Sequence, residues 1–157
     1  MDFEVETKYT LEEYRRFNKV VTNVLQGSCK KTIIACVLAA ILDVVLIFMQ
    51  QYKQALFFGV FWVLFVVILY IRMNQNIDKA WKSNALMQDT INRYHFMDDR
   101  LEITSATGEE MVEYSKLHRV IETKTNFYIM IANNMGYIVA RDACTPEQQS
   151  HISGLAG

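Results

Sequence analysis

Proline is nearly absent from this chain of 157 residues, with one occurrence, and glycine and cysteine are scarce, with six and three. A chain so poor in Pro and Gly yet 52% hydrophobic is not a disordered or low-complexity polymer. Cys29, Cys36 and Cys144 have no paired spacing, which excludes a disulfide scaffold. Excess charge is lacking as well: 16 Lys and Arg stand against 17 Asp and Glu, a formal net charge of −1. Such a balance gives no global field to draw nucleic acid or an acidic ligand, so no nucleic-acid partner is expected. Catalytic signatures are missing too: the chain has no P-loop, no GxGxxG and no GxSxG.

Long hydrophobic runs are what the chain has. Residues 33–49 form 17 positions with one charge, and residues 55–71 form 17 with none. Neither run has a polar face at helical spacing, so each is apolar all round and belongs in a large core or in lipid. The rest of so short a chain cannot cover two such helices. At 1.5 Å per residue each spans roughly 26 Å, slightly short of a ~30 Å hydrocarbon layer. Flanking residues and the long side chains of Lys31 and Arg72 close the gap. The first run carries Asp43 near its middle, at a cost of about 2.5–3.5 kcal/mol. Eleven Ile, Leu, Val and Phe side chains in that run offset it by about 3–7 kcal/mol. A transmembrane hairpin is therefore expected over 33–71. The first 32 residues hold five acidic side chains and no small-residue cleavage pattern follows the run, so both helices are expected in the mature protein.

Orientation is read from Lys and Arg near the helix ends. Arg15, Arg16, Lys19, Lys30 and Lys31 precede the first helix; Arg72, Lys79 and Lys82 follow the second; the loop 50–54 has Lys53 alone. The positive-inside rule expects both termini in the cytoplasm, with Lys30, Lys31 and Arg72 at the membrane surface.

The flanking parts divide into 1–32 and 72–157. Residues 3–9 alternate apolar and polar, which predicts a half-buried strand. Thr10 and Glu13 have the form of an N-cap and its N3 partner, opening a helix to about Leu25. The apolar stripe of that helix can lie on the inner leaflet or pack on the cytoplasmic domain. After Ile71 the helix is expected to continue to about Asp89. Strands then follow over 92–97, 101–105, 111–114, 118–124, 127–132 and 137–141. The expected turns are Asp98-Asp99, Thr107-Gly108, Thr125-Asn126 and Asn134-Met135-Gly136. Thr145, Pro146 and Gln148 open a terminal helix ending near Gly154. The expectation is an α+β membrane protein: a two-helix hairpin plus a small antiparallel β domain of pleckstrin-homology-like outline, with a C-terminal helix. If residues 3–9 join that sheet, the domain is built from both ends of the chain.

Four stretches carry a family resemblance: residues 9–14 (YTLEEY), 94–102 (YHFMDDRLE), 114–117 (YSKL) and 121–129 (IETKTNFYI). They resemble the YcxB-like family, small bacterial proteins with two membrane helices and a β-rich cytoplasmic domain. After the last strand the family usually shows a Pro, a basic residue and an aromatic; here 140–143 (ARDA) keeps only Arg141. The resemblance implies a bacterial inner-membrane location and this architecture. It implies no activity, cofactor or catalytic residue.

Side chains that invite chemistry mostly have plainer readings. His95, His118 and His151 lie on separate elements without ligand spacing, so no metal site is expected. Asp98-Asp99 is turn chemistry. Glu109, Glu110 and Glu113 read as a solvated strand face. Asp43 is different, because an ionisable group at mid-bilayer is by default functional or an assembly contact. It extends a small-residue stripe of Ala35, Cys36, Ala39 and Ala40, and Gly59 lies at similar depth on the second helix. Trp62 is the nearby donor there. The expected role of Asp43, Ala39 and Gly59 is assembly, in a homo-oligomer or with another membrane protein. A proton or cation pathway through an oligomeric channel or transporter is one alternative, and a protonated Asp43 simply facing the hairpin is the other. Otherwise the function expected is that of a non-enzymatic interaction or regulatory module, including an immunity or stress protein, whose β domain binds a protein or lipid partner.

Overall fold

A computed structural model describes residues 2–25, 27–85 and 88–155, apart from the side chains of residues 25, 28 and 29. It shows an α+β chain with the order β1 (Phe3–Lys8), α1 (Leu11–Val20), a π-helical turn (Val21–Leu25), α2 (Ser28–Phe48), α3 (Tyr52–Ser83) and six further strands. These are β2 (Ile91–Phe96), β3 (Arg100–Ser105), β4 (Gly108–Glu113), β5 (Arg119–Glu122), β6 (Asn126–Ala132) and β7 (Met135–Ala140), followed by α4 (Pro146–Gly154). The chain divides into two compact units: Met1–Val21 with Trp81–Gly157, and Thr22–Ala80.

The first unit holds two antiparallel sheets, ordered β1-β2-β3-β4 and β5-β6-β7. The N-terminal strand does join the C-terminal strands: Phe3 pairs with Phe96, and Lys8 with Ile91. Period-two alternation sends Val5, Tyr94, Phe96, Leu101 and Ile103 into the core, where Phe127, Ile129 and Val139 of the second sheet meet them. Ile152 of α4 is fully buried in the same core, and Leu155 packs beside it. β6 is buried on both faces, which explains its unbroken apolar run. Phe17 of α1 lies on Tyr128, ring centroids 5.9 Å apart, so the stripe of α1 packs on the β unit.

Helix ends follow their local signals. Thr10 Oγ1 accepts the backbone N–H of Glu13 at 3.3 Å. At α4, Thr145 and Gln148 form a reciprocal capping box with Pro146 in the first turn. Several expected bounds shift. Asn126 belongs to β6, and the β5–β6 turn falls a residue earlier, because Thr123 Oγ1 both donates to the Asn126 carbonyl and accepts its N–H. Met135 and Gly136 belong to β7, since Met135 pairs with Ala132 and Gly136 with Met130 across a bulge. The helix expected to reach Asp89 stops at Ser83. Gln88 Nε2 donates to the Trp81 carbonyl at 2.8 Å, and Asp89 turns left-handed at φ 55. Tyr9 then pairs with both sides of that turn, through Asp89 N–H to the Tyr9 carbonyl and Tyr9 N–H to the Thr90 carbonyl. Leu86 and Met87, which the expected helix included, lie outside the described residues.

In the second unit the apolar helices extend beyond the expected runs, α2 with 21 residues and α3 with 32. α2 ends in a Schellman closure, with Gln51 N–H on the Leu46 carbonyl and Gln50 N–H on that of Ile47. Gln50 takes the left-handed position at φ 59, so α3 starts at Tyr52 and the loop is shorter than 50–54. Both helices are long and apolar enough to cross a membrane, each with a mean hydropathy of 2.5 in its most apolar stretch.

Candidate functional site

Within the helical unit, the less exposed positions recur at helical spacing. Along 33–71 they are Ala35, Ala39, Asp43 and Leu46 on α2, and Ala55, Gly59, Trp62 and Val66 on α3. Cys36 and Ala40, expected on the same stripe, are exposed instead, because a one-residue step turns a helical side chain by about 100°. Asp43 meets Gly59 across this seam: a Cβ on Gly59 would sit 3.4 Å from Asp43 Oδ2. Asp43 Oδ1 is buried and has no hydrogen-bond partner among the described residues. A buried oxygen without a donor is costly, so the seam holds one unsatisfied acceptor beside a gap that glycine leaves. Trp62 and Ala39 line the same groove as Asp43 and Gly59. Ala39 is 8% exposed, whereas Lys30, Lys31 and Arg72 are exposed at their surfaces. The Cys29 side chain lies outside the described residues.

In the β unit the histidines stay apart. His95 Nε2 contacts Asp2 Oδ1 at 2.5 Å, while His151 stands edge-on to Phe3 with centroids 5.6 Å apart. Among the described residues no three His, Cys, Asp or Glu side chains are grouped to hold a metal ion. Asp98 and Asp99 form the β2–β3 turn, and Tyr114 N–H donates to the Asp99 carbonyl. The Tyr114 hydroxyl donates to the Met97 carbonyl, and burial, then Asp99 and Asp98, push its pKa up to about 12.

Among the described residues, two polar groups are buried in the β unit: Thr7, on the half-buried face that the alternation of 3–9 predicts, and Asn126, which the sequence places in a turn. Thr7 and Asn126 are 3% and 1% exposed. Asn126 Nδ2 donates to Glu13 Oε2 at 2.6 Å, fastening α1 to the β5–β6 turn. Glu110 is exposed, as expected of a solvated acidic residue. It pairs with Ile103, a core position, whereas Glu109 and Glu113 sit on the opposite face of β4. The Tyr137 hydroxyl donates to Glu110 Oε2 at 2.6 Å.

No curated protein and no solved structure matches this chain. Residues 96–153, which run from the end of β2 into α4, match the family described as YcxB-like protein, so over that stretch the resemblance seen in the sequence holds.

Proposed function

We propose that this protein is a membrane-anchored, non-enzymatic interaction module of a bacterial inner membrane, whose β unit binds a protein or lipid partner. One observation carries the reading. In each long helix only 6% of the most apolar 18-residue stretch is buried. Large side chains such as Ile41, Phe48, Phe57 and Leu64 are left exposed, a patch far beyond what a soluble monomer tolerates. Lipid is the solvent that suits them. Exposed Lys30, Lys31 and Arg72 at the helix flanks favour both termini on the cytoplasmic side.

A four-stranded and a three-stranded sheet closed by a C-terminal helix support a pleckstrin-homology-like outline for the β unit. Fold alone does not assign function, but it suits a binding module. The hairpin is inserted between β1 and β2 of one sheet, so the anchor and the binding unit are tied at two points of the chain.

The test is twofold. Alkaline carbonate washing should leave the protein in the membrane pellet, and reporters on the two tails should both read cytoplasmic. Release into the wash, or reporters on opposite faces, defeats the anchor. Photo-crosslinkers on the β unit in native membranes should give a discrete adduct with one partner.

The orphan Asp43 Oδ1 favours a second reading, in which hairpins assemble around Asp43 into a small channel or transporter. Flux in proteoliposomes that disappears in Asp43→Asn would support it over the module.

A further inference from the structure

The strands at the sheet edges are β1, β4, β5 and β7, and they are not equally covered. β1 and β7 face each other, with Thr7 accepting the Ala140 N–H. β5 has only four residues, and its last, Glu122, meets Ser153 of α4 and Arg141. β4 pairs with β3 alone, runs six residues, and is exposed at all of them but Val112.

The ladder decides which groups of β4 point away from the sheet. The Tyr114 N–H donates to the Asp99 carbonyl, and antiparallel pairs alternate between those that exchange two bonds and those that exchange none. Gly108, Glu110 and Val112 are therefore the residues bonded to β3. Glu109, Met111 and Glu113 turn their N–H and C=O groups outward, where no hydrogen bond meets them among the described residues. Their side chains share the outer face of the sheet, with Met111 61% exposed between the two glutamates. Glu113 also meets Lys116 at 2.9 Å, an ion pair open to solvent that a competing cation can replace. A row of unpaired donors and acceptors of this kind is a template for one more strand.

Charge separates the strands that could fill it. A second copy of β4 is a poor occupant. Laid antiparallel in the register that pairs all three outward residues, it would set Glu109 against Glu113 twice, and like charges directly opposite are unfavourable. A wholly apolar strand would strip water from both carboxylates and return no counter-charge. A strand with cations at alternate positions meets both needs, the backbone and the charge. We propose that β4 takes an extended basic segment of a partner protein as a fifth strand of its sheet, with the cationic face of that segment beside Glu109 and Glu113. The inference rests on the reading of the β unit as a binding module and names the edge it uses and the chemistry of its partner.

The experiment titrates the full chain, in a neutral sugar-headed detergent, with a short peptide of alternating lysine and valine blocked at both ends, and with its glutamate and valine counterpart. Amide hydrogen exchange is the readout. Without peptide, the amides of Glu109, Met111 and Glu113 should exchange fast, while that of Val112 is protected by β3. The lysine peptide should slow all three by about tenfold or more, and the glutamate peptide should leave them fast. Met111→Pro removes one outward N–H and no bond to β3, so it should abolish the slowing while Met111→Ala keeps it. Should Met111→Pro disturb the sheet, lost protection of Val112 will reveal it. The double variant Glu109→Lys with Glu113→Lys then decides, and it should weaken the lysine peptide by about tenfold. Unslowed exchange overturns the proposal, whether the peptide fails to bind or adheres by charge alone, and so does equal action by the glutamate peptide. A partner photo-crosslinked to the β unit away from β4 would overturn this edge and leave the binding module standing.

Discussion

Thr7 Oγ1 accepts the backbone N–H of Ala140 at 3.0 Å, linking residues 133 positions apart in the chain. β1 thereby touches both sheets: its backbone pairs with β2, and Thr7 reaches the last residue of β7. The N-terminal strand is the seam that closes the β unit.

Thr7→Val keeps the shape of the side chain and removes the acceptor. The Ala140 N–H is then left unpaired at a part-buried position beside the buried Thr7 side chain, which costs about 1 kcal/mol. Urea unfolding should show that loss, and Thr7→Ser should recover most of it. Equal stability of Thr7→Val and the parent would mean the seam is held by the ladder alone.

Gly136 should not accept a side chain. A Cβ there would lie 2.6 Å from the Ile129 carbonyl oxygen and 2.8 Å from Met130 Sδ. The first neighbour is backbone within a paired strand and cannot retreat. Gly136→Ala should lower stability by about 1–3 kcal/mol, read as a reduced urea midpoint.

The seam of the hairpin predicts a graded series. At 3.4 Å from Asp43 Oδ2 a methyl group makes ordinary contact, so Gly59→Ala should be tolerated. Gly59→Leu should displace Asp43 and alter the particle size in detergent. If Asp43 is an assembly contact, Asp43→Leu should shrink the particle measured by light scattering, and an unchanged size ends that idea.

Stability should fall in alkali. Burial pushes the phenol of Tyr94 up to about 12, and Tyr114 rises to about 12 for the same first reason. Folded-state values above the ordinary 10.0 mean that the folded chain keeps protons the unfolded chain has released. Their contribution is complete below pH 10 and is lost as pH climbs through 12. Urea midpoints should therefore drop between neutral pH and about pH 11. A flat profile would show these phenols to be solvated.

Cys144 should be inert while the protein is folded. It is 8% exposed, and burial, then Asp142, raises its thiol to about 11. At about pH 8 roughly one thiol in a thousand is then the reactive thiolate. Iodoacetamide should modify Cys144 only after urea is added, as peptide mass mapping can follow.

Where sequence and structure part, competing partners explain the difference. The two apolar runs are visible because their length and lack of polar faces leave few alternatives. The caps at Thr10 and Thr145 are visible because each side chain bonds a backbone group three residues away. The end of α3 was not visible, because Tyr9 takes Asp89 and Thr90 away from the helix, and that partner lies some eighty positions earlier. Glu109, Glu110 and Glu113 are all exposed, as their charge suggested, and only the register with Ile103 shows that Glu110 lies on the other face of β4.

Composition and local pattern by themselves thus determined the two long apolar helices, most of the strands and the caps, since these depend on side chains a few residues apart. Tertiary structure alone decided that β1 closes the sheets, that Asp43 meets Gly59, and that Tyr137 meets Glu110. Those contacts join positions far apart in the chain, and the free energy that selects them is the burial and pairing gained only when the whole core assembles.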